Sequence, residues 1–424
     1  MTDLKLAVTR GDAPMLYLTS IGSYTVRFHL RLDERIRKDA MRIALDRTAE
    51  RYPYFCVSVK KSDKEIYYAE NRAPAALLHS SEPPVLNTAQ TNGHIWAVSY
   101  EDDNLYVDFY HGRADGAGIY PLLATLLYYY YRERDGLSDD SGIRTLEKAV
   151  TVAETRDPVD DLPLIDLSAF KLPPAVPALN VMREKNLSRS GNKGFTHRIS
   201  IPMESFIPFI KDNDATPGLM VCILFARAIE RVLPGHTDPI VGSYVVNARP
   251  MLHSAESFHN CTSRVVLHYD ESVSKMPLEK QGTVFRGKTM LQSDEDAVRK
   301  VMTVVGTRAK AILDSPDLQT KILIARDTLM RAFQGASYMV SYVGKWQYRQ
   351  LEDHIRELWT YTPAGLFPMI EVSSVNGRVF LAIMQPFEED VYYDAFIEEL
   401  RDHKISFIDL GKEPISLSDI VYQT

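Results

Sequence analysis

Hydrophobic positions recur with two periods along this chain, and the two alternate. Over residues 34–51, Ile36, Ala40, Ile43, Ala44 and Ala49 fall at near-helical spacing, and Tyr52-Pro53 closes the segment. Period-two runs follow at 55–61 (FCVSVKK) and 66–71 (IYYAEN), split by a hairpin-like turn at Ser62-Asp63. A second hairpin is expected where Glu101-Asp102-Asp103-Asn104 joins HIWAVSY to LYVDFYH. The stretch 119–134 (IYPLLATLLYYYYRER) then reads as a helix that ends near Asp135-Gly136. Its tyrosine run, Tyr128–Tyr131, covers more than one face, which favours packing between layers over an aromatic acyl tunnel.

The pattern weakens over 136–195, where Asp157-Pro158, Leu172-Pro173-Pro174 and the polar run 188–194 interrupt any period. A lobe boundary is placed there, dividing the chain into 1–165, a linker at 166–195, and 196–424. Beyond it, 217–233 predicts an amphipathic or fully buried helix, 238–250 a β-branched strand ending at Pro250, and 263–270 another strand. Residues 277–313 are mostly helical in pattern. A hairpin is expected over 369–385, turning at Asn376-Gly377, followed by a helix around 395–402. Strand and helix blocks therefore recur in both halves, which predicts an α+β protein of two similar lobes.

Composition narrows the function classes. With 45% hydrophobic and 25% charged residues the chain is ordinary globular protein. A net charge of −7 and no long basic run argue against a nucleic-acid partner. Cys56, Cys222 and Cys261 are far apart and odd in number, so neither a disulfide framework nor a zinc pattern is present. No secretory leader pattern and no membrane-length apolar run is seen, and a cytoplasmic protein is expected.

Three motifs of catalysis are absent: GxSxG, HExxH and CxxC. Residues 282–289 fit GxxxxGK[ST] formally. The preceding residues are polar, however, and Val284 and Phe285 read as one face of a helix, so a phosphate loop is rejected.

The segment with most chemical content is His111-Gly112-Arg113-Ala114-Asp115-Gly116. Leu105, Val107, Phe109 and His111 share one face of a period-two strand, so the imidazole points with the apolar set. Histidine is the side chain whose ordinary pKa lies nearest neutrality, which suits a general base acting on an alcohol or amine. A core histidine at a strand end, satisfied by a backbone carbonyl, fits the same spacing.

HGRADG matches the HxxxDG motif of the chloramphenicol acetyltransferase-like superfamily. The segments 44–59 (ALDRTAERYPYFCVSV), 245–263 (VVNARPMLHSAESFHNCTS) and 337–346 (SYMVSYVGKW) resemble, in order, further landmarks of its alcohol-acetyltransferase-like and condensation-like members. The resemblance implies two αβ-sandwich lobes with the active site at their interface. It implies His111 as general base, an acyl-CoA or acyl-phosphopantetheine donor, a small alcohol or amine acceptor, and no permanently bound cofactor or metal. An acyl or peptidyl carrier protein could present the donor, and a non-catalytic binding protein of the same fold is the third reading.

It also implies that Asp115 pairs with an arginine, for which Arg249 is the candidate, rather than orienting the base. Asp115 equally fits a helix N-cap, and Gly116 a tight turn where no Cβ is tolerated. Two departures stand out. Tyr110 occupies the place of a second histidine, and by parity points away from the site. His259 replaces the glycine of a Gly-Asn turn, leaving Asn260 as a structural residue. Ser341 and Tyr342 are candidate oxyanion or cleft residues, or ordinary strand residues.

Overall fold

The computed structural model describes residues 4–18, 24–169, 177–190, 194–333 and 335–423. Two sheets dominate. The first has five strands in the order Ile355–Tyr361, Thr25–Leu32, Asn104–Tyr110, Trp96–Glu101, Leu77–His79. The second has seven, in the order Thr262–Tyr269, Ile240–Asn247, Tyr338–Lys345, Met369–Val375, Arg378–Gln385, Phe195–Pro202, Ile408–Pro414.

The expected elements form where the periods placed them. The helix Lys38–Arg51 packs on Gly116–Asp135, and both cover the first sheet. Helices Pro217–Val232 and Val391–Asp402 cover one face of the second sheet, with Ile370 and Val372 pointing into that layer. Residues 282–289 lie inside the helix Leu278–Gln292, so the GxxxxGK[ST] match has no loop to cradle a phosphate. Asn376 and Gly377 both take positive φ, at 46° and 70°, as a two-residue hairpin turn demands. Tyr128–Tyr131 are all buried. Three of their hydroxyls are tethers: Arg37 N donates to Tyr130, Leu146 N donates to Tyr129, and Tyr131 donates to Asp33.

Two features lay beyond the sequence pattern. The strand Ile355–Tyr361, from the second half, pairs antiparallel with Thr25–Leu32 and completes the first sheet. The contiguous division into 1–165 and 196–424 has no place for that strand. It carries the core across: Trp359 packs edge-to-face on Phe380 at 4.9 Å, and one hydrophobic cluster includes residues of both sheets. Part of the segment 136–195 is also firmly packed. Glu154, Asp157, Val159 and Leu162 are buried, and Glu154 accepts from Arg51, at 2.7 and 3.0 Å, and from Tyr54.

Candidate active site

The strand Asn104–Tyr110 stops one residue before His111. His111 N donates to Tyr24 O at 2.9 Å, and Arg113 N turns back to Tyr110 O at 3.1 Å. Tyr110 points away from His111, as parity required: its hydroxyl reaches Met15 O and the Tyr422 hydroxyl. Its ring fills the space where a Cβ on residue 112 would sit, 2.2 Å away, so Gly112 admits no side chain.

Asp115 does two jobs at once. It caps the helix Gly116–Asp135, accepting from Gly118 N at 2.8 Å. It also receives a bidentate pair from Arg249, Nη1 to Oδ2 at 3.0 Å and Nη2 to Oδ1 at 2.7 Å, with Cys261 N adding 2.9 Å to Oδ2. Burial alone would push this carboxyl up, but the Arg249 charge and these hydrogen bonds hold it below the ordinary carboxylate range. Arg249 spends its remaining donors on Ser257 O, His259 O and Asn247 Oδ1. Asn260 Nδ2 donates to His111 O at 2.9 Å. The motif loop is therefore clamped by residues far along the chain.

Gly116 differs from expectation. Its φ is ordinary, and a Cβ there would press on the Val343 methyls at 3.2–3.3 Å. Like Gly112, Gly118 has no room: a Cβ there would lie 2.1 Å from Phe258 O.

The His111 ring is half-buried, edge-on to Tyr24 at 5.1 Å. Burial lowers its pKa from the ordinary 6.5, more than its own backbone carbonyl, Asp115 and Asn260 raise it. The imidazole is thus neutral at pH 7. Nδ1 is buried without a regular hydrogen bond among the described residues, and a proton on Nδ1 would leave Nε2 as the acceptor nitrogen. Nε2 makes no hydrogen bond among the described residues. That tautomer leaves Nε2 with a free lone pair, which is what a base needs.

Below the loop lies a buried charge network that no motif announced. His259 Nδ1 donates to Asp12 Oδ1 at 3.0 Å and Nε2 donates to Thr155 O at 3.0 Å. Arg113 reaches Asp12 Oδ2 at 3.3 Å, and the Asp157 oxygens accept from Gly11 N and Val159 N. Burial opposes charge on His259, but Asp12 outweighs it and raises the imidazole above its ordinary value. Asp12, Asp157 and His259 bring ligand atoms within 4.8 Å of one another. Both His259 nitrogens carry protons to protein acceptors, though, so the group fits an ion pair rather than a metal. The departure at residue 259 is thereby explained: the imidazole replaces a glycine by pairing with Asp12.

Ser341 and Tyr342 lie on the strand Tyr338–Lys345. The Tyr342 hydroxyl pairs with Ser374 Oγ at 3.0 Å. Ser341 stands across from Glu371 in parallel register, and its hydroxyl favours the ionised carboxyl. Glu371 is 5% exposed, and burial pushes it up to about 8, more than Ser341 and Thr362 lower it. Sequence reasoning had no signal for Glu371, because a single acid inside MIEVSSV reads as an outward residue. A separate cavity of about 600 Å³, lined by Arg27, His29, Tyr106, Arg198, Tyr361 and Glu413 among others, includes none of the sequence-predicted residues.

Among the described residues no helix is long and apolar enough to cross a membrane. No protein-family model matches the sequence, and no curated protein matches it. Solved structures do match. TRI101 of F. graminearum, complexed with coenzyme A and T-2 mycotoxin, superposes with a TM-score of 0.61 at 13% identity, over 97% of this chain and 100% of that one. Polyketide synthase associated protein 5 from Mycobacterium tuberculosis gives 0.60 at 12% identity, over 94% and 97%. The starter condensation domain of rhizomide synthetase RzmA, in complex with C8-CoA, gives 0.56 at 10% identity, over 95% and 94%. The chain has the fold of the CoA-dependent acyltransferases and condensation domains.

Proposed function

We propose that this chain is an acyltransferase that moves an acyl group from a CoA or pantetheine thioester to a hydroxyl or amine, with His111 as general base. Its two lobes are taken as 1–165 and 196–424, joined by 166–195, with Ile355–Tyr361 crossing back. The observation that carries the reading is a neutral imidazole, Nε2 unengaged, on a loop held by the Asp115–Arg249 pair and by Asn260. Such a base, fixed on a rigid loop, is positioned rather than merely present. Neighbours of the same fold crystallised with CoA and with C8-CoA support the donor class.

In this reading Nε2 takes the proton of the acceptor as it attacks the thioester carbonyl. The C–S bond then breaks, and the proton passes from His111 to the leaving thiolate. Asp115 takes no proton: its four hydrogen bonds and low pKa commit it to holding the loop. The oxyanion needs a donor, and Ser341 and Tyr342, on the strand Tyr338–Lys345, are the candidates.

The test is thiol release from acetyl-CoA and longer acyl-CoAs against alcohols and amines, run beside His111→Ala. Release that needs both acceptor and His111 supports the reading. No release from CoA thioesters, but release from a loaded carrier protein, assigns the chain to carrier-bound donors. No release from either leaves a binding protein.

A further inference from the structure

Glu371 has no role in the chemistry above, yet it is the most anomalous acid in the fold. It sits on the central strand Met369–Val375 of the second sheet. Ile370 and Val372 point into the helix-covered core. The alternate residues face the other way: Met369 joins the cluster shared with the first sheet, and Ser373 Oγ donates to Leu358 O. Period two puts Glu371 between them, facing the lobe that carries His111.

Among the described residues its surroundings lack a cation. Glu371 makes no salt bridge among the described residues; the Thr362 hydroxyl donates to it at a long 3.5 Å, and Ser341 stands beside it in parallel register. An acid so buried is costly as a carboxylate unless a counter-charge arrives. Two tyrosines feel its charge. Tyr24 is the residue whose ring lies against His111. Tyr120 is 8% exposed and its hydroxyl is buried with no hydrogen-bond partner. The Tyr120 ring is 5.5 Å from Phe28, which borders Gly116. A buried acid without a cation, a buried hydroxyl without a partner and a wall of aromatic rings thus converge next to the base. That set matches one chemistry: a protonated amine, which a carboxylate neutralises and aromatic faces attract.

We propose that Glu371 and the Tyr120 hydroxyl form the acceptor-recognition end of the cleft, and that the acceptor is a small amino alcohol or diamine. Its ammonium docks on Glu371, and its hydroxyl or second, neutral amine is presented to His111. The ammonium keeps its protons. The proton that moves is that of the attacking group, which goes to Nε2 and then to the thiolate as the C–S bond breaks. The reacting end of this assignment rests on the acyl-transfer reading; the ammonium site does not.

The experiment therefore has two arms. In the first, phenethylamine and its neutral counterpart phenethyl alcohol are titrated against purified protein at pH 7.5, and the melting temperature is read. The amine should raise it by a few degrees, as a ligand held at several times its Kd does, and the alcohol should do less. Glu371→Gln, nearly isosteric and relieved of a buried acid, should fold and lose the amine response; Tyr120→Phe should weaken it. An amine response equal in wild type and Glu371→Gln, or no difference between amine and alcohol in wild type, overturns the proposal. In the second arm, kcat/KM is compared for 3-amino-1-propanol and 1-butanol. The preference for the amino alcohol should collapse about 10–100-fold in Glu371→Gln, the worth of a charge-assisted contact. An unchanged preference overturns the placement of the acceptor. Glu371-dependent amine binding without thiol release from any donor would sink acyl transfer and leave the ammonium site standing.

Discussion

Replacing Glu371 with glutamine should change how stability depends on pH, and the size of the change follows from its burial. The carboxyl is pushed from 4.5 to about 8 in the folded protein. Between these values the unfolded chain sheds the proton while the folded chain keeps it. The contribution of this residue is therefore fully present below pH 4.5, falls as pH rises, and levels off above pH 8. Linkage gives a loss of about 4 kcal/mol between pH 5 and pH 9 from this one group. Glutamine keeps the shape and the hydrogen-bonding groups but cannot ionise.

The measurement is urea unfolding of both proteins at intervals from pH 5 to pH 9. Intrinsic fluorescence is a suitable probe, since Trp96, Trp346 and Trp359 are all buried. Other titrating groups are common to both proteins and cancel in the difference. The stability of wild type relative to Glu371→Gln should decline by about 4 kcal/mol across that range, with the slope concentrated below pH 8. A difference that moves by less than about 1 kcal/mol would refute the reasoning, since distant changes normally add to within half of that. A difference that moves the other way would mean that Glu371 is folded as a stabilised carboxylate with a hidden cation.

The other predictions concern the loop. His111→Ala should cost about 100–10,000-fold in turnover while leaving the urea midpoint near wild type; loss of the fold instead would mark a core histidine. Because His111 lies below its ordinary 6.5, kcat/KM for an uncharged acceptor such as 1-butanol, which does not use Glu371, should stay flat through pH 7–8 and fall only on the acid side of that value; an acid limb centred above pH 7 with that acceptor would contradict the neutral base. Asp115→Ala and Arg249→Met should each cost about 3–5 kcal/mol, and the double variant much less than their sum; strict additivity in urea melts would dissolve the pair. Gly118→Ala should lose at least about 1–3 kcal/mol through the clash with Phe258 O, and Gly116→Ala less, because the Val343 methyls yield more readily than a backbone carbonyl; equal effects would argue against this placement of Phe258.

The fold was legible wherever one face of an element is buried, because burial imposes a period. The hairpin over 369–385 is of this kind: seven residues before Asn376-Gly377 and eight after it alternate between two cores. The Asp115–Arg249 pair was reachable only because the motif resembled a known one; 134 residues separate the partners, and no spacing rule spans them. The strand Ile355–Tyr361 could not be assigned to the first sheet, since period two fixes a face and not a neighbour. Gly118 and Phe258 were invisible for the same reason: a close approach of backbones leaves no mark at either position. Glu371 was misleading in its own right. An acid in an apolar strand normally marks the solvent face, and here that face is turned toward the opposite lobe.

The same contacts explain why Asp115 is unavailable as an orienting partner for the His111 ring. All of its strong acceptor positions are taken by Arg249, Gly118 N and Cys261 N, so it steers the loop and not the ring. Ring orientation is left to Tyr24, which packs on the imidazole edge, and to the backbone of His111, whose N–H donates to Tyr24 O. The His111 carbonyl is itself fixed by Asn260. Asn260 in turn follows His259, which the Asp12 carboxylate and Thr155 O hold in place. The segment around Asp12, the motif loop and the 245–263 segment are thus joined by polar groups that are almost all buried. Removing any one leaves an unsatisfied partner and not merely a missing contact, which costs more than the net worth of the bond it made. The position of His111 is therefore secured by the stability of the fold rather than by a dedicated catalytic carboxylate.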